Sequence, residues 1–259
     1  MPPPTTVIGS PAGCLVIAAI PGQSAPAISQ TRAGIQLQTD APLLDWRDGA
    51  IPVARVFDDP YFSLSGGLAE TRHVFLAGNG LPARFRAGMQ IAELGFGTGL
   101  NLLATVQAWM QAATPGRFRF ASFEAFPMAA ADLDRALSAF PELAPLAGDL
   151  VAAWASGARD FALGPADVQV IIGDARACLP DWAGRADAWY LDGFSPAKNP
   201  ELWSPDLMGQ VAAHTAPGGS FATYTAAGHV RRALAEAGFT VTRRPGFGSK
   251  RHMSAGVLA

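Results

Sequence analysis

From Met89 onward, short apolar runs of strand length alternate with stretches whose apolar residues return every three or four positions. Period two followed by period 3.6 predicts strands alternating with helices, and hence a mostly parallel sheet with helices on its faces. The predicted strands are Gln90–Leu94, Phe118–Phe123, Val168–Ile172, Ala188–Leu191 and Ser220–Tyr224, with Thr240–Thr242 and Met253–Val257 as a closing antiparallel pair. Seven strands result. Leu102, Leu103, Val106, Trp109 and Met110 mark the buried face of the first helix, and Ser204-Pro205-Asp206 supplies a cap, an N1 proline and an acid for a later one. The final helix is expected near Ala227–Ala237. Residues 127–167, rich in Ala and Leu, are expected to form a helical insertion within the 89–259 domain.

The first 88 residues read differently. Residues 1–31 contain no Asp, Glu, Lys or Arg and have six prolines, so 1–40 is expected to be a flexible tail. Residues 41–88 are punctuated by Pro and Gly among aromatic and β-branched residues, as in a strand-and-loop cap. Within it Leu68–Leu76 looks helical, with Glu70 and Arg72 outward and Val74, Phe75 and Leu76 inward.

Composition narrows the class. Hydrophobic residues make up 49% of the chain and charged residues 15%, which excludes disorder for the bulk. The longest unbroken apolar run, Cys14–Ile20, is far shorter than a bilayer span, so no membrane segment is expected. Cys14 and Cys178 form neither a disulfide framework nor a metal-binding spacing. A reducing, cytoplasmic setting without a metal follows as the expectation.

Candidate chemistry begins at Glu93-Leu94-Gly95-Phe96-Gly97-Thr98-Gly99-Leu100-Asn101, where the first core strand turns into its helix. Glycines let the backbone approach a ligand, and the spacing G-x-G-x-G departs from the longer dinucleotide fingerprint. Glu93, Glu124, Asp174 and Asp192 each fall at or just past the end of a successive strand. In an open α/β sheet those ends share one crevice, and four carboxylates there repel one another unless the ligand brings positive charge. S-adenosylmethionine, with an ammonium, a sulfonium, a ribose diol and an adenine amine, meets that need. The expected contacts are Glu93 near the methionine amine, Glu124 at the ribose and Asp174 with Ala175 at the adenine, beside Gly95, Gly97, Gly99 and Asn101. Taken singly, each acid could equally cap the helix that follows it.

Asp192 opens the run Leu191-Asp192-Gly193-Phe194-Ser195-Pro196-Ala197-Lys198-Asn199-Pro200. A carboxylate there can hold an acceptor amine and aim its lone pair, and Phe194 can stack on a flat base. Orientation with proton hand-off to water is expected rather than full abstraction. Between His229 and His252, Arg231, Arg232, Arg243, Arg244, Lys250 and Arg251 face one acid, Glu236, in a chain of net charge −2. That excess suits a phosphate backbone, although a solvated basic face is the common alternative.

Several motifs together resemble the MnmC-like methyltransferases, whose stand-alone form is called MnmD. They are Phe57–Ser63, Gly67–Arg72, Glu93–Asn101, Ser122–Glu124, Leu191–Pro200 and Gly246–Arg251, within roughly residues 43–257. The resemblance implies a Rossmann-like class I S-adenosylmethionine-dependent fold. It also implies methyl transfer to the exocyclic amine of 5-aminomethyl-(2-thio)uridine at the tRNA wobble position, with Asp192 and Phe194 at the acceptor. Lys198, Arg231, Arg232, Lys250 and Arg251 are the expected tRNA contacts. Many relatives carry a fused flavin-dependent domain. Here no flavin is expected, and a separate enzyme is expected to perform the preceding step. Alternatives are an aminopropyltransferase acting on a polyamine, an RNA-binding module without chemistry, and an NAD-dependent oxidoreductase, which the glycine spacing disfavours.

Overall fold

The computed structural model describes residues 41–63 and 66–259, so the expected tail, including Cys14, lies outside the described residues. Three short strands open it, β1 (Leu44–Arg47), β2 (Ile51–Ala54) and β3 (Asp59–Pro60), paired antiparallel in that order. Helix α1 (Gly67–Thr71) runs on into a π turn (Arg72–Leu76) and a 3₁₀ turn (Ala77–Asn79). Leu68, Val74, Phe75, Leu76 and Leu81 are buried in the same core as the main sheet.

The main sheet has eight strands in the order β10-β11-β9-β8-β4-β5-β7-β6. They are β4 (Gln90–Leu94), β5 (Phe118–Glu124), β6 (Asp160–Leu163), β7 (Ala166–Ile172), β8 (Ala186–Leu191), β9 (Thr215–Thr223), β10 (Phe239–Pro245) and β11 (His252–Leu258). The central five, β9-β8-β4-β5-β7, are parallel, and the three strands beyond them pair antiparallel. Helices α2 (Leu100–Gln111), α3 (Ala130–Leu137), α4 (Ala144–Ala155), α5 (Ala175–Cys178), α6 (Pro205–Ala213) and α7 (Gly228–Glu236) accompany them. The Ser204 hydroxyl accepts the Leu207 N–H at the start of α6, the capping expected there.

One strand more is present than expected. Residues 127–167 are helical through α3 and α4, but Asp160–Leu163 folds back on β7 in a tight hairpin. Gly164, at φ 52°, makes the turn that the Ala/Leu-rich composition concealed. Met110, expected inside, is 57% exposed, whereas Leu102, Leu103, Val106 and Trp109 are buried. Cys178 is buried beside Leu179 in the core under the sheet. Among the described residues no single helix is long and apolar enough to cross a membrane.

Strand order positions the site. From central β4 the chain builds outward through β5 and β7, then returns to β8 on the other side. The connections leaving β4 and β8 therefore diverge at their carboxyl ends, opening a crevice at the reversal of strand order.

Candidate active site

A cavity of about 660 Å³ fills that crevice. Gly95, Gly97, Asn101, Glu124, Asp174, Ala175, Asp192, Phe194 and Lys250 line it among others. Gly97 takes a left-handed φ of 53°, and a β-carbon there would meet the Tyr61 ring at 3.2 Å. Only backbone fits between the turn and that ring. Gly99, at φ 73°, instead faces Leu150 and Phe96, and its role is to close the turn into α2.

The carboxylates converge unequally. Glu93, expected near the methionine amine, is fully buried within β4 and is not among the residues lining the cavity. It accepts the Ser122 hydroxyl at 2.7 Å and one Asn101 amide hydrogen at 2.8 Å. Burial raises its pKa well above the usual carboxylate value, against those two hydrogen bonds, and the charges of Asp192 and Glu124 push the same way. The same Asn101 nitrogen donates to Asp192 at 2.8 Å, while its oxygen accepts the Thr71 hydroxyl at 2.9 Å. Asn101 is thus the junction of the site.

Glu124 accepts the Gly97 and Phe126 N–H groups at 2.8 and 2.6 Å, one on each oxygen. Burial still raises its pKa above the usual value. Asp174 caps α5 by accepting the Arg176 N–H at 2.8 Å and is paired with the Arg176 guanidinium. Burial opposes ionisation there, but the Arg176 contacts prevail and hold the carboxyl below its usual range. For Asp174 the helix-cap alternative describes the bonding observed.

Asp192 accepts its neighbour Gly193 N–H at 2.8 Å on the oxygen that Asn101 does not use. Burial pushes its pKa up to about 6, with Glu70 adding to the rise and Lys250 opposing it. Phe194 is stacked on Phe57, centroids 4.5 Å apart, and met edge-on by Tyr61 at 5.1 Å. One face of the ring expected to receive a base is therefore taken by the protein.

The expected tRNA cations separate. Lys198 is bonded to the Asp58 carbonyl and lies 3.7 Å from the Asp59 carboxylate, so it fastens the acceptor loop to the N-terminal strands. Lys250 turns into the cavity wall, bonded to Glu70 at 2.7 Å. Its side chain stays 44% exposed while its ammonium pairs with a nearly buried acid. Arg251 and Arg232 are exposed, and Arg231 reaches the Ala226 carbonyl at 3.3 Å. Slight desolvation, then the charges of Arg243, Arg251 and Arg231, hold the His252 imidazole below its usual range.

Glu70, Thr71, Tyr61 and Tyr224 also line the cavity without having been expected there. Glu70, read as outward, is 9% exposed because the turn between β10 and β11 lies over α1. Tyr61, Glu70 and Thr71 stand inside two of the motifs that carry the resemblance, the one signal that pointed at them. The Tyr61 hydroxyl is buried without a hydrogen-bond partner. Among the described residues no three His, Cys, Asp or Glu side chains group as metal ligands.

Residues 141–259 match a family model described as S-adenosyl-L-methionine-dependent methyltransferase. The bifunctional protein MnmC for tRNA 5-methylaminomethyl-2-thiouridine biosynthesis from Pseudomonas paraeruginosa is 50% identical over 225 residues, covering 83% of this chain and 34% of that protein. Its Chromobacterium violaceum counterpart is 47% identical over 227 residues, with the same coverages. Among solved structures, MnmC2 from Aquifex aeolicus superposes with a TM-score of 0.67 at 25% identity, covering 85% of this chain and 72% of that one. In sequence the chain is similar to one part of these MnmC proteins. It spans about a third of the length of the MnmC proteins it matches, and its fold is that of the class I methyltransferases.

Proposed function

We propose that the chain transfers a methyl group from S-adenosylmethionine to the exocyclic amine of 5-aminomethyl-(2-thio)uridine at the wobble position of tRNA. The observation that carries the reading is Asp192, an enclosed carboxylate anchored by Asn101 and Gly193 N–H, facing the same cavity as the glycine turn.

The cofactor reading rests on fit. The backbone-only gap at Gly97 suits close approach of a ligand, and the buried, unpartnered Tyr61 hydroxyl beside it is a polar group awaiting a partner. Gly95, Gly97, Tyr61 and Glu124 would hold S-adenosylmethionine, with Ala175 and the Asp174 segment flanking the base and Glu93 acting through Asn101. Bound there, it supplies an electrophilic methyl carbon on a sulfonium. Asp192 holds an N–H of the incoming amine, which leaves the nitrogen lone pair free to point along the cavity. With a pKa near 6 rather than the usual value of about 3.9, it is also a better relay for the surplus proton on its way to water. Phe194, braced by Phe57, offers its remaining face and edge to the uracil ring.

The polynucleotide is read as docking along the edge strand β10, which carries Arg243, and the adjoining α7, which carries Arg231, with Arg251 just before β11. The substrate must already carry an aminomethyl group, made by an earlier reaction on the same nucleoside, and a cytoplasmic location follows from a tRNA substrate. The test is incubation of purified protein with labelled S-adenosylmethionine and tRNA bearing 5-aminomethyl-2-thiouridine, followed by mass analysis of the wobble nucleoside. A gain of one methyl on the side-chain nitrogen is expected; an unmodified nucleoside together with no calorimetric heat from S-adenosylmethionine overturns the reading.

A further inference from the structure

A second ionic arrangement stands at the acceptor end of the cavity. Glu70 on α1 has its carboxylate nearly enclosed, and Lys250 Nζ donates to it at 2.7 Å. The same ammonium lies 4.2 Å from the centre of the Tyr224 ring, whose hydroxyl donates to the Gly193 carbonyl at 2.9 Å, one residue past Asp192. Glu70, Lys250, Tyr224 and Asp192 all face the one cavity.

Lys250 is not a loose surface cation. It stands on the turn joining β10 to β11, which is closed by Lys250 N–H to the Phe247 carbonyl at 3.0 Å and Gly246 N–H to the Arg251 carbonyl at 3.2 Å. A β-carbon on Gly246 would collide with the Lys250 carbonyl, so that close turn needs glycine. His73, on the π turn after Glu70, meets the Pro245 carbonyl at 3.0 Å and ties the turn to the segment it covers. A cation on a fixed turn, seated on an aromatic face and a buried carboxylate, is a built element of the site.

Resting on the methyl-transfer reading above, we propose that Lys250, held by Glu70 and Tyr224, is an electrostatic positioning residue that keeps Asp192 ionised as the hydrogen-bond acceptor for the substrate amine. The groups facing Asp192 are Glu93 on β4, Asn101 on α2, Glu70 on α1, Tyr224 after β9, its own Gly193 N–H and Lys250. Among these only Lys250 carries positive charge. Without it Glu70 would add its negative charge to Asp192 unopposed, and the protonated Asp192 would no longer accept from the amine. With it in place, Glu70 is neutralised at close range, and the cation also opposes a protonated amine, favouring the free base that carries a lone pair.

The experiment is titration of Asp192 by carbon-13 carboxyl NMR in the wild-type protein and in K250M, K250R, E70Q and E70Q/K250M, with pH profiles of methyl transfer for the same set. The Asp192 midpoint should rise by about one pH unit in K250M and fall in E70Q, and return near the wild-type value when both charges are removed. K250R, which retains the cation, should hold the wild-type midpoint. The acidic limb of the rate profile should move in the same order. Coincident midpoints across the folded variants overturn the inference, even if K250M loses activity at every pH, because a purely structural lysine would give that pattern. If the midpoints move as expected while the wild-type protein modifies no aminomethyluridine, the electrostatic coupling stands and the substrate reading falls.

Discussion

Glu93 and Asp192 are held by a single amide: the Asn101 nitrogen donates to both, at 2.8 Å each. Two acids at the ends of neighbouring strands are thereby bridged, and the amide gives each an N–H to accept. Replacing Asn101 by Leu removes both donors and leaves the Thr71 hydroxyl without its acceptor. Chemical denaturation should show a loss of about 1–3 kcal/mol. An unchanged midpoint would mean that water replaces the amide at no cost and that Asn101 is no structural junction.

Asp192 also makes stability depend on pH. Its folded pKa of about 6 lies above the value of about 3.9 expected in the unfolded chain. Between those values the folded form binds the extra proton, so this residue's contribution to stability is full below the lower value and is lost as pH rises through about 6. Asp174 acts oppositely, since its lowered pKa gives stability that is lost on acidification below the usual carboxylate range. Thermal melts of the ligand-free protein from pH 4.5 to 7 should therefore fall more steeply for wild type than for Asp192→Asn. Parallel curves would show that Asp192 titrates normally.

Asp192→Ala separates binding from chemistry. Its side chain is expected to position the amine, so the dissociation constant for S-adenosylmethionine should stay within about tenfold while single-turnover methylation falls about a hundredfold or more. A rate close to wild type would remove Asp192 from the reaction.

Gly97→Ala tests the turn. The new methyl group would press on the Tyr61 ring at 3.2 Å while the backbone keeps a φ of 53°. Calorimetry should show S-adenosylmethionine binding weakened at least tenfold, and wild-type affinity would place the ligand elsewhere in the cavity. Tyr61→Phe is the companion change, which removes a buried hydroxyl with no internal partner and should leave the ligand-free protein as stable as before while weakening binding.

The basic edge gives a salt-dependence prediction. Exchanging Arg231, Arg243 and Arg251 for Ala should lower the slope of log affinity for tRNA against log salt by about one for each phosphate contact removed. K250M should change that slope little, because its ammonium is committed to Glu70. Should K250M flatten the slope and the triple variant leave it intact, the docking face lies at the cavity mouth instead.

Local patterning revealed most of the sheet. β4 matches its predicted bounds, Ser220–Tyr224 overruns the end of β9 by one residue, and the other expected strands lie within longer observed ones, since a buried parallel strand is a compact apolar run that survives without context. The hairpin of β6 was hidden because its residues share the Ala/Leu character of the helices before it. At the site, the glycine turn and the acids at strand ends were legible, since topology alone brings them together. The partners of Glu70, Lys198 and Lys250 were not, because each bond joins residues more than a hundred positions apart. Charge indicated that those lysines would bind an anion; only tertiary packing decided that the anion was internal.

Asp59 accepts the Ser195 N–H at 2.8 Å, and Asp58 holds Lys198. The small N-terminal meander and the loop after β8 are therefore clasped at two points and form one continuous wall of the cavity. Substitutions at Asp58 or Asp59, remote from the strand ends themselves, will consequently be felt as changes in how tightly the far wall grips what lies inside.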